Sequence, residues 1–269
     1  MGAATPGPGA NGADGTAGPV GEGDTLELRT ADAFTDELAR ALTQELQHAP
    51  TQPQDGPWDG DFIELVACDR PGAPAAGRGP DLLDGLADWG PVSTDAGPFQ
   101  LVPVRIGRDL PLVAQWMNDP AVAAFWELAG PESVTADHLR AQLDGDGRSI
   151  PCLGVLGGVP MSYWEVYRAD LDPVARHYPA RPHDTGLHLL IGRVADRGRG
   201  LGTHLLRRVA DHVLDHRPSC TRVVAEPDLR NTPSVAAFLG AGFRLTREIE
   251  PAGKRAGLMI RDRALRGLL

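Results

Sequence analysis

Between Arg197 and Thr203 the chain reads Arg-Gly-Arg-Gly-Leu-Gly-Thr, and a helical pattern begins at Leu201. Glycine lets a backbone come close to a ligand, and the first N–H groups of a helix attract anions. The spacing points to an anion cradle, to which Arg197 and Arg199 add charge. It is not a dinucleotide fingerprint, which needs glycine where Thr203 stands, nor a P-loop, which ends in Gly-Lys-Ser/Thr. A plain glycine-rich turn with solvated arginines is the alternative. Upstream, His188 alternates with Gly186 and Leu190 on one strand face, where an imidazole can accept a proton or be satisfied within the core. Asp228 leaves the following strand pattern and can act as a base or cap the turn before Asn231. Tyr163 and Glu165 share a strand face opposite Trp164, so Glu165 can meet a cationic substrate or lie exposed. His212 and His216 have the helical spacing of zinc ligands. No third ligand is near, and Asp211 and Asp215 suggest a solvated face, so no metal is expected.

These groups need a framework to hold them. Strand patterns occupy residues 99–106, 150–156, 159–167, 185–192, 221–226 and 255–261, and Gly157-Gly158 reads as a two-residue hairpin turn. Helical spacing covers 109–117, 121–128, 135–143, 201–216 and 234–239. In the longest of these, Leu205, Leu206, Val209 and Val213 share a face. The order predicts an α/β fold with a mixed sheet flanked by helices, not a doubly wound dinucleotide-binding sheet. Residues 1–24 are small residues, Gly and Pro, and are expected to be disordered. Residues 25–95 read as a small α/β extension with strands at 25–30 and 62–68 and a helix stripe of Phe34, Leu38, Leu42 and Leu46. The main domain spans 96–269.

A net charge of −10 provides no basic surface for nucleic acid or an anionic membrane. No apolar run approaches the ~20 residues of a membrane helix, and the N-terminus lacks the pattern of a secretion signal. Cys68, Cys152 and Cys220 are scattered and odd in number, which suits a reducing cytoplasm.

Arg197-x-x-Gly200-x-Gly202 after a strand, then strand 221–226, Asn231-x-x-Ser234 and Gly242-Phe243, together resemble the two cofactor blocks of the GNAT acyltransferases. The resemblance implies a GNAT fold, acetyl- or succinyl-CoA as cosubstrate, and two strands splayed around the pantetheine arm. It places coenzyme A on Leu190, Ile191, Gly192, Arg197, Arg199, Gly200, Leu201, Gly202, Thr203, Asn231 and Ser234. Longer strings narrow the group: Trp116-Met117-Asn118-Asp119-Pro120, Phe125-Trp126, Tyr163-Trp164-Glu165-Val166-Tyr167, His183-Asp184-x-Gly186-x-His188 and Ala225-Glu226-Pro227-Asp228-x-Arg230-Asn231. They resemble the acyltransferases of hydroxamate siderophore biosynthesis, of the aerobactin and mycobactin type, with a desferrioxamine-type enzyme as a variant.

That group acylates the hydroxylated nitrogen of N-hydroxylysine or an N-hydroxydiamine, and other enzymes of a siderophore pathway would be its partners. Acyl transfer from a thioester needs a neutral nucleophile, a proton acceptor and a stabilised oxyanion. The resemblance gives the proton chemistry to His188 and Asp228, with Asp228 orienting His188 or acting as base itself. Asn118, Trp126, Tyr163, Glu165 and His183 fall to the acceptor, and the His177-Tyr178 pair to its lid. Two other readings stand: a GNAT enzyme for another small amine such as an aminoglycoside, and a degenerate acyl-CoA-binding scaffold. Phe238 favours the scaffold, because many GNAT enzymes carry there a Tyr that protonates the leaving thiolate.

Overall fold

The computed structural model describes Leu83 and residues 85–268. The expected disordered segment 1–24 and most of the 25–95 extension, apart from Leu83 and residues 85–95, lie outside the described residues. Among the described residues eight strands form one sheet in the order β1-β2-β3-β4-β5-β6-β8-β7. They are β1 (Val92–Thr94), β2 (Gly97–Pro103), β3 (Ser149–Leu156), β4 (Val159–Arg168), β5 (Thr185–Ile191), β6 (Arg222–Ala225), β7 (Arg244–Ile249) and β8 (Ala256–Asp262). Between them run α1 (Ile106–Met117), α2 (Pro120–Trp126), α3 (Glu132–Leu143), α4 (Leu201–His216) and α5 (Thr232–Gly240). This is the mixed sheet flanked by helices that the patterns predict.

The β3–β4 hairpin turns on Gly157 and Gly158, whose φ angles of 57° and 85° are the left-handed values a tight hairpin asks of its central pair. Helix α4 buries Leu205, Leu206, Val209 and Val213, its predicted stripe. Trp116, Met117, Leu139, Leu153, Tyr163 and Leu190 join α1 and α3 to β3, β4 and β5 in one buried cluster. Strand β7 is absent from the sequence reading. Four of its six residues are exposed, and its register shifts at Leu245/Arg247, so no apolar alternation marks it. Its pairing with β8 makes it a strand.

All pairings are antiparallel except β5 with β6. Those two pair only at Thr185↔Val223 and Gly186↔Val224, whereas β4 and β5 stay paired from Ser162↔Ile191 to Arg168↔Thr185. Past Gly186 the sheet therefore opens into a fork. Its closed end is held by buried Asp184, which receives Arg222 at 2.5 Å and the Tyr178 hydroxyl at 3.1 Å. Tyr178, expected in a lid, is instead a core residue.

Candidate active site

His188 projects from β5 beside the fork, with its side chain 37% exposed. Nδ1 lies 2.9 Å from Glu165 Oε2 on β4, and Nε2 lies 2.6 Å from Glu226 Oε1 just past β6. Burial works against a charge on this ring, but Glu226 and Glu165 outweigh it and raise the imidazole well above its ordinary range. With a carboxylate oxygen against each ring nitrogen, the surroundings favour the charged form of the ring, which can donate to both.

Glu165 lies opposite His188 in the β4–β5 register and is 6% exposed. Its Oε1 also takes His138 from α3 at 2.6 Å, Gln142 at 2.8 Å and the Tyr163 hydroxyl at 3.0 Å. Burial raises its carboxyl, but His138 and His188 more than offset that and hold it well below the usual range. Glu226 is lowered as well, with burial offset chiefly by His188. The Tyr167 hydroxyl donates to it, at 2.9 and 2.7 Å from its two oxygens. Burial and that carboxylate raise the Tyr167 phenol well above its usual range, so it remains a donor.

The Gly-x-His spacing acquires a reason here. A Cβ on Gly186 would lie 2.0 Å from Cζ of Tyr167, so the missing side chain makes room for that ring. The ring then sits 4.7 Å from the His188 imidazole, centroid to centroid.

Several expected roles change. Asp228 does not orient His188: its carboxylate is taken by Arg230 at 2.6 Å, and Glu165 and Glu226 hold both ring nitrogens. Four donors already engage Glu165, which makes it an anchor for His188 rather than an open receptor for an acceptor ammonium. Asn118 ties the end of α1 to Gly130, giving and receiving a hydrogen bond at 3.0 and 2.9 Å. His183 sits in a turn before β5 with φ 69°, its N–H on Asp170, away from the open end of the fork. Trp126 and Tyr163 do meet at the centre: the indole lies edge-on to Tyr163 at 5.5 Å and to His188 at 6.1 Å. His138 and Gln142 went unseen because a lone His on an amphipathic helix carries no pattern. Glu226 lies within the string from Ala225 to Asn231, but the run Arg222–Ala225 before it is wholly buried and gives no alternation from which to read its direction.

Across the fork, α4 begins at Gly200, which has φ 77° and provides no side-chain cap, so the first helical N–H groups face outward without one. Gly198 has φ 68°, and a Cβ there would meet nothing within 4 Å. This is open backbone suited to a pyrophosphate. Arg199 and Gly200 are exposed, and Leu201, Gly202 and Thr203 half-buried. Ile191 and Gly192 are less open than expected. Arg197 takes both of their carbonyls, at 2.8 and 2.9 Å, and the Gly192 N–H bonds Met161. Leu190 is buried in the core. Asn231 caps α5 by accepting the Ser234 N–H at 3.2 Å. Phe238 is buried against Phe243, with ring centroids 5.1 Å apart. His212 and His216 pack on Trp89, with centroids at 5.5 and 5.1 Å.

Residues 105–251 match the family model described as an acetyltransferase (GNAT) domain. A lysine N-acyltransferase, MbtK, of Mycolicibacterium paratuberculosis is 41% identical over 165 residues, covering 61% of this chain and 74% of that one. An N(6)-hydroxylysine O-acetyltransferase of Escherichia coli is 36% identical over 149 residues, 55% of this chain and 47% of its own. Among solved structures, an uncharacterized protein of Bacillus halodurans superposes with a TM-score of 0.62 at 31% identity, over 67% of this chain and 94% of that one. Among the described residues no helix is long and apolar enough to cross a membrane. With its forked sheet, open helix N-terminus and matching sequence, this chain belongs to the GNAT acetyltransferase family and is an acyl-CoA-dependent N-acyltransferase.

Proposed function

We propose that the enzyme transfers an acyl group, acetyl or succinyl, from acyl-CoA to the hydroxylated nitrogen of an N-hydroxylysine or N-hydroxydiamine. The product is a hydroxamate for siderophore assembly. The observation that carries this reading is the Glu165–His188–Glu226 chain, in which a carboxylate holds each ring nitrogen and favours the protonated imidazole. Such a site is a poor base towards an alkylammonium, whose pKa of ~10.4 makes the neutral amine costly at neutral pH. A hydroxyl on the nitrogen withdraws electron density, so the acceptor arrives neutral and the site need only handle the proton released on attack. The likeness to relatives named for lysine and N6-hydroxylysine acylation supports the same acceptor class.

In the proposed reaction the neutral nitrogen attacks the thioester carbon, a C–N bond forms, and the C–S bond breaks. The proton on the attacking nitrogen becomes strongly acidic in the tetrahedral intermediate, so the weakly basic His188–Glu226 pair suffices to accept it. The same pair returns a proton to the thiolate, the role for which Phe238 has no hydroxyl. Coenzyme A lies along the fork, its pyrophosphate on the amides of residues 199–203. The free, buried Cys152 and Cys220 support a reducing cytoplasm as the place of work. The test is kcat/KM for N-hydroxycadaverine and N6-hydroxylysine against cadaverine, lysine and an aminoglycoside, with acetyl- and succinyl-CoA as donors. Preference for an unhydroxylated amine would overturn the acceptor assignment and leave the family standing.

A further inference from the structure

Arg197 opens the glycine loop, but its guanidinium is committed elsewhere. Nε and Nη2 hold the Ile191 and Gly192 carbonyls at the end of β5, and Nη1 holds Asp119 Oδ1 at 3.0 Å. The same Asp119 oxygen accepts the Ala121 N–H at 2.9 Å and caps α2. Helix α2 ends at Trp126, the indole that meets Tyr163 and His188. The corner is tied at two further points. The Trp116 ring occupies the space a Gly192 side chain would need, with Cε2 2.1 Å from that Cβ position, and Asn118 clasps Gly130. The string from Trp116 to Pro120 thus joins the acceptor-side helices to the end of the cofactor strand.

We propose that Arg197 is a positioning residue for the acceptor side, a strut from the end of β5 to α2 that fixes Trp126 over His188, and that its side chain is not a ligand of the pyrophosphate. An arginine suits this task because its planar fork serves three acceptors at once, where an ammonium is a point charge. Only the acceptor readout below rests on the function proposed above.

The variants are Asp119→Asn, Arg197→Met and Arg197→Lys in the full chain. Asn caps a helix about as well as Asp, so Asp119→Asn removes the ion pair and keeps the cap. Calorimetry with coenzyme A should give a Kd within about twofold of wild type in all three, while KM for the hydroxylated acceptor rises about tenfold, the scale of a coupling between groups in contact. Arg197→Lys should not restore that KM, and the double variant Asp119→Asn/Arg197→Met should be no worse than Arg197→Met. A wild-type enzyme inert on every hydroxylated amine would remove the acceptor assignment alone. The strut would then be read from coenzyme A affinity and from amide exchange of residues 121–126, which should quicken in Asp119→Asn and Arg197→Met. Two results would overturn the strut. One is coenzyme A binding weakened tenfold or more by Arg197→Met and rescued by Arg197→Lys; the other is an acceptor KM and α2 exchange both unmoved in Asp119→Asn.

Discussion

On the acceptor side, Glu165 gathers four side-chain donors and His188 is gripped at both ring nitrogens. On the cofactor side, Gly198 and Gly200 show left-handed backbone and α4 begins with no side-chain cap. The first region is made of side chains whose charges define one another. The second is made of backbone from which side chains have been cleared. They should therefore fail in different ways: the acceptor side when any packed atom or charge is changed, the cofactor side when atoms are added.

The largest effect is expected at the ring's partners. His188→Ala and Glu226→Gln should each lower kcat by ~10²-fold or more, the scale of a lost proton-transfer group. Coenzyme A affinity should stay near wild type. Asp228→Asn should cost less than Glu226→Gln, because Asp228 serves Arg230. The reverse ranking in steady-state kinetics would return the proton chemistry to Asp228 and break the acceptor-side picture. Next comes Gly186→Ala, which adds an atom to the side built on fixed contacts. Its Cβ collides with the Tyr167 ring, and overpacking of this kind costs about 1–3 kcal/mol. Denaturant unfolding would read that loss, and unchanged stability would mean that the ring moves freely.

Gly200→Val acts on the other side. The nearest atom to its Cβ is His204 Cδ2 at 3.9 Å, so the φ of 77° is what penalises it, not crowding. A left-handed L-residue costs roughly 1–2 kcal/mol, so coenzyme A binding should weaken about tenfold or more, since the added methyls also stand where a ligand approaches. Full affinity by calorimetry would reduce the loop to a turn.

The smallest effect is on the pH dependence of stability. His188 is raised above 6.5 in the folded chain, so its contribution is complete below about 6.5 and fades as pH climbs through its raised value. Glu165 and Glu226 are lowered below 4.5, so theirs is present above about 4.5 and fades as pH falls through their lowered values. Wild-type Tm should thus hold from about 4.5 to about 6.5 and decline above that until the raised His188 value is passed, and His188→Gln should flatten the alkaline decline. An identical alkaline slope in the variant would place that proton elsewhere.

Local pattern explains what the sequence made legible. Helix α4 stands at residues 201–216 as expected because its apolar stripe is repeated over four turns, and the hairpin follows from two adjacent glycines. The cofactor loop was readable for the same reason: backbone sites need glycine, and glycine is visible. His188 could be picked out on its strand, but its partners could not. His138 reaches Glu165 across 27 positions and Glu226 reaches His188 across 38, distances that only the assembled sheet closes. The sequence singles out Asp228 and not Glu226 two residues before it, because the direction of a chain leaving a strand end is set by tertiary pairing. Here residues 227–229 run on against β8 and carry Asp228 to Arg230.

The two rungs between β5 and β6 have a mechanical meaning as well. They divide the sheet into an antiparallel leaf of five strands and one of three, stitched by two backbone rungs and by the side-chain contacts Arg222–Asp184, Tyr167–Glu226 and His188–Glu226. Each leaf can hold its own register if that seam loosens, so the empty enzyme has a built-in line of shear. A ligand lying in the fork bridges the leaves much as a missing length of strand would. Occupancy should then make the two leaves unfold more nearly as one, bringing the calorimetric and van't Hoff enthalpies of melting closer together.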